Sequence, residues 1–379
     1  MNATQQSARD PLEQWTTFNE AMAQPAIWRA WADPLAQHAK AISSWLRARD
    51  HEEIWFCGAG TSAFIGDALC PYLNAPPRQA RFRPVPTTDL VSCPGNFVRR
   101  DRRILVVSFG RSGNSSETIG ALDLLDAQMP EADRLHFTCN ADGALATRQM
   151  PGPGEQRVVV LPPGTNDSGF AMTSSYSTML LSALACLDDH PPLALSETLD
   201  RLAEAGEAVL GAALALARSS PKPPARAVFL GCGALTGSAR EAALKVLELA
   251  RGRIPTAWDS TLGFRHGPKA IVDAETRVHV FVSADPHTRK YDIDAANEIR
   301  RQFGAENVVV LGAAGTGVDL HVPAIGNDAW TSVLYVLAAQ MLAIAWSGAL
   351  GINVDNPFTE GNLSRVVEGV TLYPYAAAR

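Results

Sequence analysis

The most informative segment of the chain is Ser108-Phe109-Gly110-Arg111-Ser112-Gly113-Asn114-Ser115-Ser116-Glu117-Thr118. The apolar run 104–107 precedes it and the helix-patterned segment 119–125 follows it. A buried strand, a turn of glycines and small hydroxylated residues, and a helix start form the layout of an anion site, because free backbone N–H groups and the positive end of the helix dipole meet there. Arg111 adds charge, and Ser112 and Ser115 add hydroxyl donors. The alternative is an ordinary strand-to-helix turn with Ser and Asn caps.

A second turn of the same kind lies earlier in the chain. The apolar run 53–57 ends at Gly58-Ala59-Gly60-Thr61-Ser62, and a helix is predicted over 63–73. Two such turns favour an anion site over unrelated caps, and they make Gly60, Thr61 and Ser62 candidate binding residues.

The pattern of strands and helices repeats after residue 225. Gly231-Cys232-Gly233 follows a strand at an offset of 173 from Gly58 (231 − 58), and Ser283 lies 175 after Ser108 (283 − 108). Strands separated by helices imply parallel sheets covered on both faces. The sequence therefore predicts a duplicated α/β domain. The second copy has Ser283-Ala284-Asp285-Pro286-His287 in place of the hydroxyl-rich turn, so the first copy is expected to bind the anion.

The predicted organisation has three parts. Residues 1–50 form an N-terminal helical extension, which Pro25 and Pro34 should break into short pieces and which packs on the main body or on a partner subunit. Domain 1 covers 51–218 and domain 2 covers 225–379, joined by the Pro-rich linker 219–224.

Composition narrows the class of protein. The chain has 379 residues, of which 46% are hydrophobic, and a formal charge of −6, which argues against a nucleic-acid partner. Six scattered cysteines without a CxxC pair predict reduced core thiols, and no signal peptide is visible, so the protein is expected in the cytoplasm. No histidine pair has metal-ligand spacing, and no cofactor is expected.

One segment is long and apolar enough to span a bilayer. The run 331–350 carries no charge. Gln340 lies within it and no Lys/Arg cluster flanks it, which favours a buried core or dimer helix over a membrane span.

Two further groups of residues are candidates for chemistry. Glu241, Lys245 and Glu248 share one face of a predicted helix, where the alternative is a solvated salt-bridge ladder. His266 lies in Gly263-Phe264-Arg265-His266-Gly267-Pro268-Lys269, a loop in which it is either inert or a proton shuttle. On these residues alone, the chain is a cytosolic two-domain α/β protein that binds a phosphorylated small molecule.

Taken in order, these motifs resemble a tandem sugar isomerase (SIS) protein. Within that superfamily the chain resembles the bacterial galactosamine-6-phosphate deaminase/isomerase family, also called tagatose-6-phosphate ketose/aldose isomerases. The resemblance runs from about residue 50 to the C-terminus, and its matching segments are 58–67, 85–91, 108–115, 169–175, 239–249, 263–269 and 362–370. It implies two tandem SIS domains, each a parallel sheet flanked by helices in a flavodoxin-like three-layer sandwich.

The resemblance also implies roles for single residues. Ser62, Ser112 and Ser115 match positions that hold the sugar phosphate, with Arg111 beside them. Glu248 matches the carboxylate that moves a proton between C1 and C2 in glucosamine-6-phosphate synthase. The remaining matches are His266, which assists ring opening from the neighbouring subunit of a homodimer, and Thr173 and Ser174, which line the sugar. Glu241 and Lys245, on the same helix face as Glu248, are expected to bind the substrate as well.

The chain departs from the synthase at two places. Arg365 stands where the synthase has a lysine, and because a guanidinium forms no Schiff base, Arg365 would act electrostatically. No glutaminase with a terminal cysteine precedes residue 50, which favours ammonia release over ammonia transfer.

The expected reaction is the conversion of galactosamine 6-phosphate to tagatose 6-phosphate and ammonia through an enolamine, with a hexose or hexosamine 6-phosphate as ligand. Three alternatives stay open. They are a glucosamine-6-phosphate deaminase, a plain aldose–ketose isomerase, and a non-catalytic sugar-phosphate sensor.

Overall fold

The computed structural model describes residues 10–75, 80–219 and 222–376. Ten helices and ten strands are labelled here in chain order. The helices are α1 (Thr16–Arg47), α2 (Thr61–Leu73), α3 (Thr87–Ser92), α4 (Ser116–Gln128), α5 (Ala144–Thr147), α6 (Ser174–Leu187), α7 (Leu195–Ser219), α8 (Ala234–Leu249), α9 (Thr288–Phe303) and α10 (Asp328–Ala349). The strands are β1 (Glu53–Cys57), β2 (Arg81–Pro84), β3 (Ile104–Gly110), β4 (Asp133–Thr138), β5 (Gln156–Val160), β6 (Arg226–Gly231), β7 (Thr256–Asp259), β8 (Thr276–Phe281), β9 (Val308–Gly312) and β10 (Leu320–His321).

Two parallel five-stranded sheets form the core of the protein. The first has the order β2-β1-β3-β4-β5 and the second the order β7-β6-β8-β9-β10, so the two sheets follow the same path. The apolar runs that predicted strands are buried on both faces by helices, as in β3, where every residue is buried. The predicted duplication is confirmed. The sheets lie within 51–218 and 225–379, and the boundaries themselves stay a prediction.

Helix α1 is a single helix of 32 residues, so the prediction that Pro25 and Pro34 break it is wrong. An interior proline costs a helix about 3 kcal/mol, because one hydrogen bond is lost and the ring crowds the preceding turn. Here tertiary packing outweighs that cost. Trp28 and Trp31 are buried, and their indole N–H groups donate to Ser177 and Ser182 of α6 at 3.1 and 3.0 Å. The extension therefore packs on the main body.

Helix α10 is the long apolar segment, and it lies in the core. By length and composition it could cross a membrane, but 83% of its most apolar window is buried inside the protein. It packs on α7 and α8, and its Gln340 side chain accepts a hydrogen bond from Gln24 of α1 at 2.7 Å. The interpretation as a buried core helix is confirmed.

Several details differ from the sequence predictions. Strands β7 and β10 were not predicted, because they are short and have no continuous apolar run. All six cysteines are free, but Cys93 is exposed and Cys232 is half-buried, so the prediction of six core thiols is wrong for these two. Of the predicted linker, Ser220 and Pro221 lie outside the described residues, as do the N-terminal residues 1–9 in which no signal peptide was visible.

Helices α2 and α8 join the two domains through a very close contact. A Cβ atom at Gly237 of α8 would lie 2.6 Å from the Cα of Ala68 in α2. Beside this point, Arg240 donates to Asp67 at 2.7 Å. Because real Cβ atoms do not approach backbone so closely, only glycine allows the helices to pack at this distance.

We expect Gly237→Ala to lower the free energy of unfolding by about 1–3 kcal/mol, because overpacking at the contact outweighs the better helix propensity of alanine. Gly211→Ala in α7 is the matched control, since a Cβ there meets nothing within 4 Å. It should stabilise by about 0.5–1 kcal/mol. Thermal or urea denaturation of both variants measures the difference, and a Gly237→Ala protein as stable as the wild type would contradict the packing argument.

Candidate active site

The two glycine- and hydroxyl-rich turns lie side by side at one edge of the first sheet. Strands β1 and β3 are neighbours, and Cys57 pairs with Ser108 at their carboxyl ends. In the order β2-β1-β3-β4-β5 this is the point where the direction of the strand order reverses, which is where open α/β sheets bind ligands. Topology therefore brings both turns to one crevice.

Backbone geometry explains the glycines in the turns. A Cβ at Gly58 would meet the carbonyl carbon of Ser62 at 2.6 Å, and Gly60 and Gly113 have positive φ angles of 54° and 68°. Asn140 donates to the Ser112 carbonyl oxygen at 3.0 Å and holds the second turn in place.

A cavity of about 300 Å³ opens at this crevice and is lined by both halves of the chain. Most of the predicted site residues meet here. They are Gly60, Thr61, Ser62, Arg111, Ser112 and Ser115 from domain 1, Lys245 and Glu248 from α8, and Arg365 from the C-terminal tail.

Arg111 supplies buried positive charge at the domain 1 end of the cavity. Its side chain is 7% exposed; Nη2 donates to the Arg365 carbonyl oxygen at 3.2 Å, and the buried Nη1 has no partner among the described residues. Burial lowers the pKa of Arg111, as does the neighbouring charge of Arg365. An unpaired buried guanidinium N–H is costly, so this end of the cavity favours an anion.

The start of α4 provides further donors, and its serines do not act as caps. Ser115 occupies the N-cap position without a capping side-chain hydrogen bond, and its hydroxyl pairs with Thr118 at 2.7 Å. The N–H of Ser116 donates to the Val367 carbonyl oxygen of the tail at 3.0 Å. Ser115 therefore does not cap α4 through its side chain, as the alternative of an ordinary capped turn would require.

Helix α8 brings a buried lysine and two carboxylates to the opposite side. Lys245 Nζ lies 2.8 Å from Glu248, 3.1 Å from the Thr61 hydroxyl and 3.4 Å from Glu241. The side chains of Lys245 and Glu241 are 1% and 0% exposed, and that of Glu248 is 24% exposed. A solvated ladder is thus the wrong description, and Glu248 is the carboxylate that opens to the cavity.

Burial and neighbouring charge have opposite effects on the pKa values of Glu241 and Lys245. Burial raises the pKa of Glu241 to about 7, although Lys245 acts against it. The two carboxylates raise the pKa of Lys245 despite its own burial, so the ammonium stays protonated at neutral pH.

Four predicted residues do not line the cavity in the described structure, and three of them, Glu241, Thr173 and Ser174, are buried behind it. Glu241 lies behind Lys245. Thr173 and Ser174 are fully buried, because Asp167 accepts hydrogen bonds from both backbone N–H groups and from the Thr173 hydroxyl, at 2.8–2.9 Å. The Ser174 hydroxyl donates to the Glu20 carbonyl oxygen. These hydroxyls hold the start of α6 in place.

His266 is exposed and does not line this cavity either. Its loop is held on α9, where Arg265 pairs with Asp294 at 2.7 Å and Lys269 with Glu298 at 2.5 Å. The loop is thus fixed with the imidazole at the surface.

Sequence reasoning missed Asp167, which organises the cavity from behind. Asp167 binds the start of α6 through its carboxylate, and its backbone carbonyl oxygen accepts a hydrogen bond from the Arg365 guanidinium. The signal was an aspartate shortly before the hydroxyl-rich run Thr173-Ser174-Ser175, but its separation of six residues from Thr173 exceeds that of ordinary capping motifs.

The corresponding turn of domain 2 faces carboxylates, where the turn of domain 1 faces carbonyl oxygens of the C-terminal tail. Asp328 accepts hydrogen bonds from the Ser283 hydroxyl and from the Ala284 N–H, the second at 2.8 Å. Asp292 accepts a hydrogen bond from the Ser283 N–H at 2.9 Å. These donors are already satisfied by negative charge, which agrees with the expectation that only the first copy binds an anion. Within the described ranges, no group of three His, Cys, Asp or Glu side chains could hold a metal ion.

Comparison with known proteins finds relatives of one family that are 35–41% identical to the chain. No protein-family model matches the chain. The D-galactosamine-6-phosphate deaminase AgaS of Escherichia coli O157:H7 is 38% identical over 376 residues, covering 96% of each chain. A Streptomyces coelicolor protein that bears this name provisionally is 41% identical over 370 residues, covering 94% of this chain and 95% of its own.

A solved structure agrees with these relatives. The crystal structure of tagatose-6-phosphate ketose/aldose isomerase from Escherichia coli superposes with a TM-score of 0.86 at 35% identity, covering 98% of this chain and all of that one. A glucosamine-6-phosphate deaminase from Thermotoga maritima shares the fold, with a TM-score of 0.73 at 22% identity. Identity at the level of the first relatives over nearly the whole length means that the chain belongs to the AgaS family of galactosamine-6-phosphate deaminases and tagatose-6-phosphate ketose/aldose isomerases, with the tandem SIS-type fold.

Proposed function

We propose that the protein is a deaminating isomerase that converts galactosamine 6-phosphate and water to tagatose 6-phosphate and ammonium. One observation carries the proposal. The cavity has an anion-binding end, formed by Arg111 and the serine turns, and a carboxylate, Glu248, at its other side. A sugar phosphate held by its unreactive end places C1 and C2 toward that carboxylate. The names of the relatives at 38–41% identity support the choice of substrate.

In the proposed mechanism, Ser62, Ser112 and Ser115 bind the phosphate together with Arg111. After ring opening, Glu248 removes the proton from C2 and returns it to C1. The intermediate is an enolamine, and reprotonation at C1 gives a 2-imino ketose. Water then adds to the imine carbon, and the amine leaves as ammonium, so that atoms balance. All these steps use side chains of the chain and water.

Two cations are proposed to support the proton transfer. Lys245 stays protonated between Glu241 and Glu248, so it orients the Glu248 carboxylate through the 2.8 Å contact. Arg365 lines the cavity and is tied to the Asp167 carbonyl oxygen. Its fixed charge would stabilise a carbonyl oxygen or a developing enolate.

His266 is proposed to open the sugar ring from the neighbouring subunit of a homodimer. Its exposed position outside the cavity of its own chain and its fixed loop support this arrangement. The activity would lie in the cytoplasm.

An ammonia-release assay tests the function most directly. Galactosamine 6-phosphate and glucosamine 6-phosphate are compared side by side, and the ketose product is identified. Release of ammonia from the galacto epimer with formation of tagatose 6-phosphate is expected. Conversion of the amine-free aldose alone, or binding without turnover, would identify a plain isomerase or a sensor instead.

We expect Glu248→Gln to lower kcat by about 10²–10⁴-fold while sugar-phosphate binding is retained, because the amide cannot accept the C2 proton. Glu275→Gln at an exposed loop is the control. Calorimetric binding and turnover are measured on the same preparations, and wild-type turnover by Glu248→Gln would show that another group is the base.

Ser112→Ala should act mainly on binding. Loss of one hydroxyl donor to a charged phosphate is expected to raise KM by roughly 10–100-fold with a smaller change in kcat. Ser44→Ala, on the exposed side of α1, is the control. An unchanged KM for Ser112→Ala would place the phosphate elsewhere.

The stability of the protein should fall between about pH 5 and pH 8 because of Glu241. Its folded-state pKa of about 7 is above the ordinary 4.5, so folding favours the protonated form and this stabilisation is lost as the pH rises toward 7. Glu241→Gln mimics that neutral form at every pH. Urea unfolding should therefore give similar stabilities near pH 5 and favour the variant by roughly 2–3 kcal/mol near pH 8. A pH-independent difference would show that Glu241 is ionised throughout.

A further inference from the structure

A second cavity lies on the other side of the contact between α2 and α8. Its volume is about 620 Å³, against about 300 Å³ for the candidate active site. Its walls come from α2, the edge strand β2, the start of α8 and the edge strand β7. Both the size and the position between two domains are typical of small-molecule sites.

The lining of this second cavity is positively charged, although the chain as a whole carries −6. Three arginines, Arg81, Arg83 and Arg240, line it together with a single carboxylate, Asp67, which leaves a net charge of +2 (3 − 1). Arg81 and Arg83 alternate along β2 and so point to the same side of the strand. The start of α8 at Gly233 adds the positive end of a helix dipole.

The three arginines differ in whether they form an ion pair with a carboxylate. Arg240 pairs with Asp67 at 2.7 Å, and Arg83 pairs with Glu53 at 2.8 Å. Arg81 is exposed, and its guanidinium has no carboxylate within ion-pair distance in the part of the chain that the structure describes. Among the described residues, Arg81 is therefore the arginine of this cavity that has no carboxylate partner.

An aromatic surface faces the same space. Trp258 of β7 is 42% exposed, which is unusual for so large an apolar side chain beside a cavity. The guanidinium of Arg240 lies 4.2 Å from the ring centre of Phe64 and 5.0 Å from that of Trp258. This stack fixes the indole and leaves the rest of its surface open for a planar ligand.

We propose that the second cavity binds a nucleotide, with the phosphate on Arg81 and Arg83 and the base on Trp258. Arginine pairs bidentately with phosphate oxygens, and an open indole stacks on planar rings. A sugar phosphate without a ring system would use only the first of these two features. The site is separate from the candidate active site, since the two cavities share no lining residue.

The two helices that line the second cavity also line the first. The start of α2 carries Ser62 to the active site, while Asp67 farther along it faces the second cavity. Helix α8 runs the other way, from Arg240 at the second cavity to Glu248 at the first. A nucleotide that shifts this helix pair changes the affinity for sugar phosphate, and the sugar phosphate changes the affinity for the nucleotide by the same factor. This coupling rests on the proposed function, whereas the binding itself does not.

Isothermal titration calorimetry of the full chain with adenosine 5′-monophosphate tests the site. We expect one site per chain, and weaker binding of ribose 5-phosphate and of adenosine, which each lack one recognition element. Arg81→Ala and Trp258→Leu should each weaken binding about tenfold. Arg301→Ala, an exposed arginine of α9, should leave it unchanged.

Four results would overturn the proposal. They are no heat with adenosine 5′-monophosphate, equal affinity for ribose 5-phosphate, unchanged binding in both cavity variants, and loss of binding in Ser112→Ala, which would place the nucleotide in the active site. Light scattering on the same samples adds a further test. Dissociation of an oligomer by both cavity variants, with no nucleotide bound by the wild type, would mean that Trp258 belongs to an interface between copies. Because no turnover is measured, failure here leaves the proposed deaminase function standing.

Discussion

The close contact between α2 and α8 is the constraint on which the rest of the structure depends. Gly237 lets the helices meet at backbone distance, and Arg240 with Asp67 locks them beside that point. Because α2 starts at the glycine- and hydroxyl-rich turns and α8 carries Glu248 in its last turn, this one crossing sets the distance between the two ends of the candidate active site. A looser contact would separate the serines from the carboxylate without altering either domain.

The end of the cavity near Arg111 is built from hydrogen-bond donors that the described residues satisfy only in part. Arg111 keeps its buried Nη1 unpartnered among the described residues, while its Nη2 donates to the Arg365 carbonyl oxygen of the C-terminal tail and the Ser116 N–H donates to that of Val367. Carbonyl oxygens are weaker partners for a guanidinium than a doubly charged phosphate is. The tail thus keeps the site ordered without competing strongly with a ligand. In domain 2 the carboxylates of Asp292 and Asp328 take the matching place.

Most of the fold was predictable because buried parallel strands appear as continuous apolar runs. Strands β7 and β10 have no such run. The prolines of α1 led to a wrong prediction, because the packing of buried tryptophans outweighs the cost of proline inside a helix. The serine turns could be predicted as one site, since neighbouring strands bring them together. The convergence of Glu248 with those turns depends on the packing of two domains, which no local pattern records. For the same reason, the hydrogen bonds of Thr173 and Ser174 to Asp167 could not be predicted from the sequence.

The ion pair between Asp67 and Arg240 also bears on how a two-domain chain can arise. The two residues occupy equivalent positions in the two halves, 173 residues apart (240 − 67). In a symmetric dimer of identical single-domain subunits, a residue near the twofold axis faces its own copy, so Asp would oppose Asp, or Arg would oppose Arg. Joining the halves in one polypeptide removes that restriction. Opposite charges can then evolve at the former axis, and such a bond makes a return to separate, self-associating halves unfavourable.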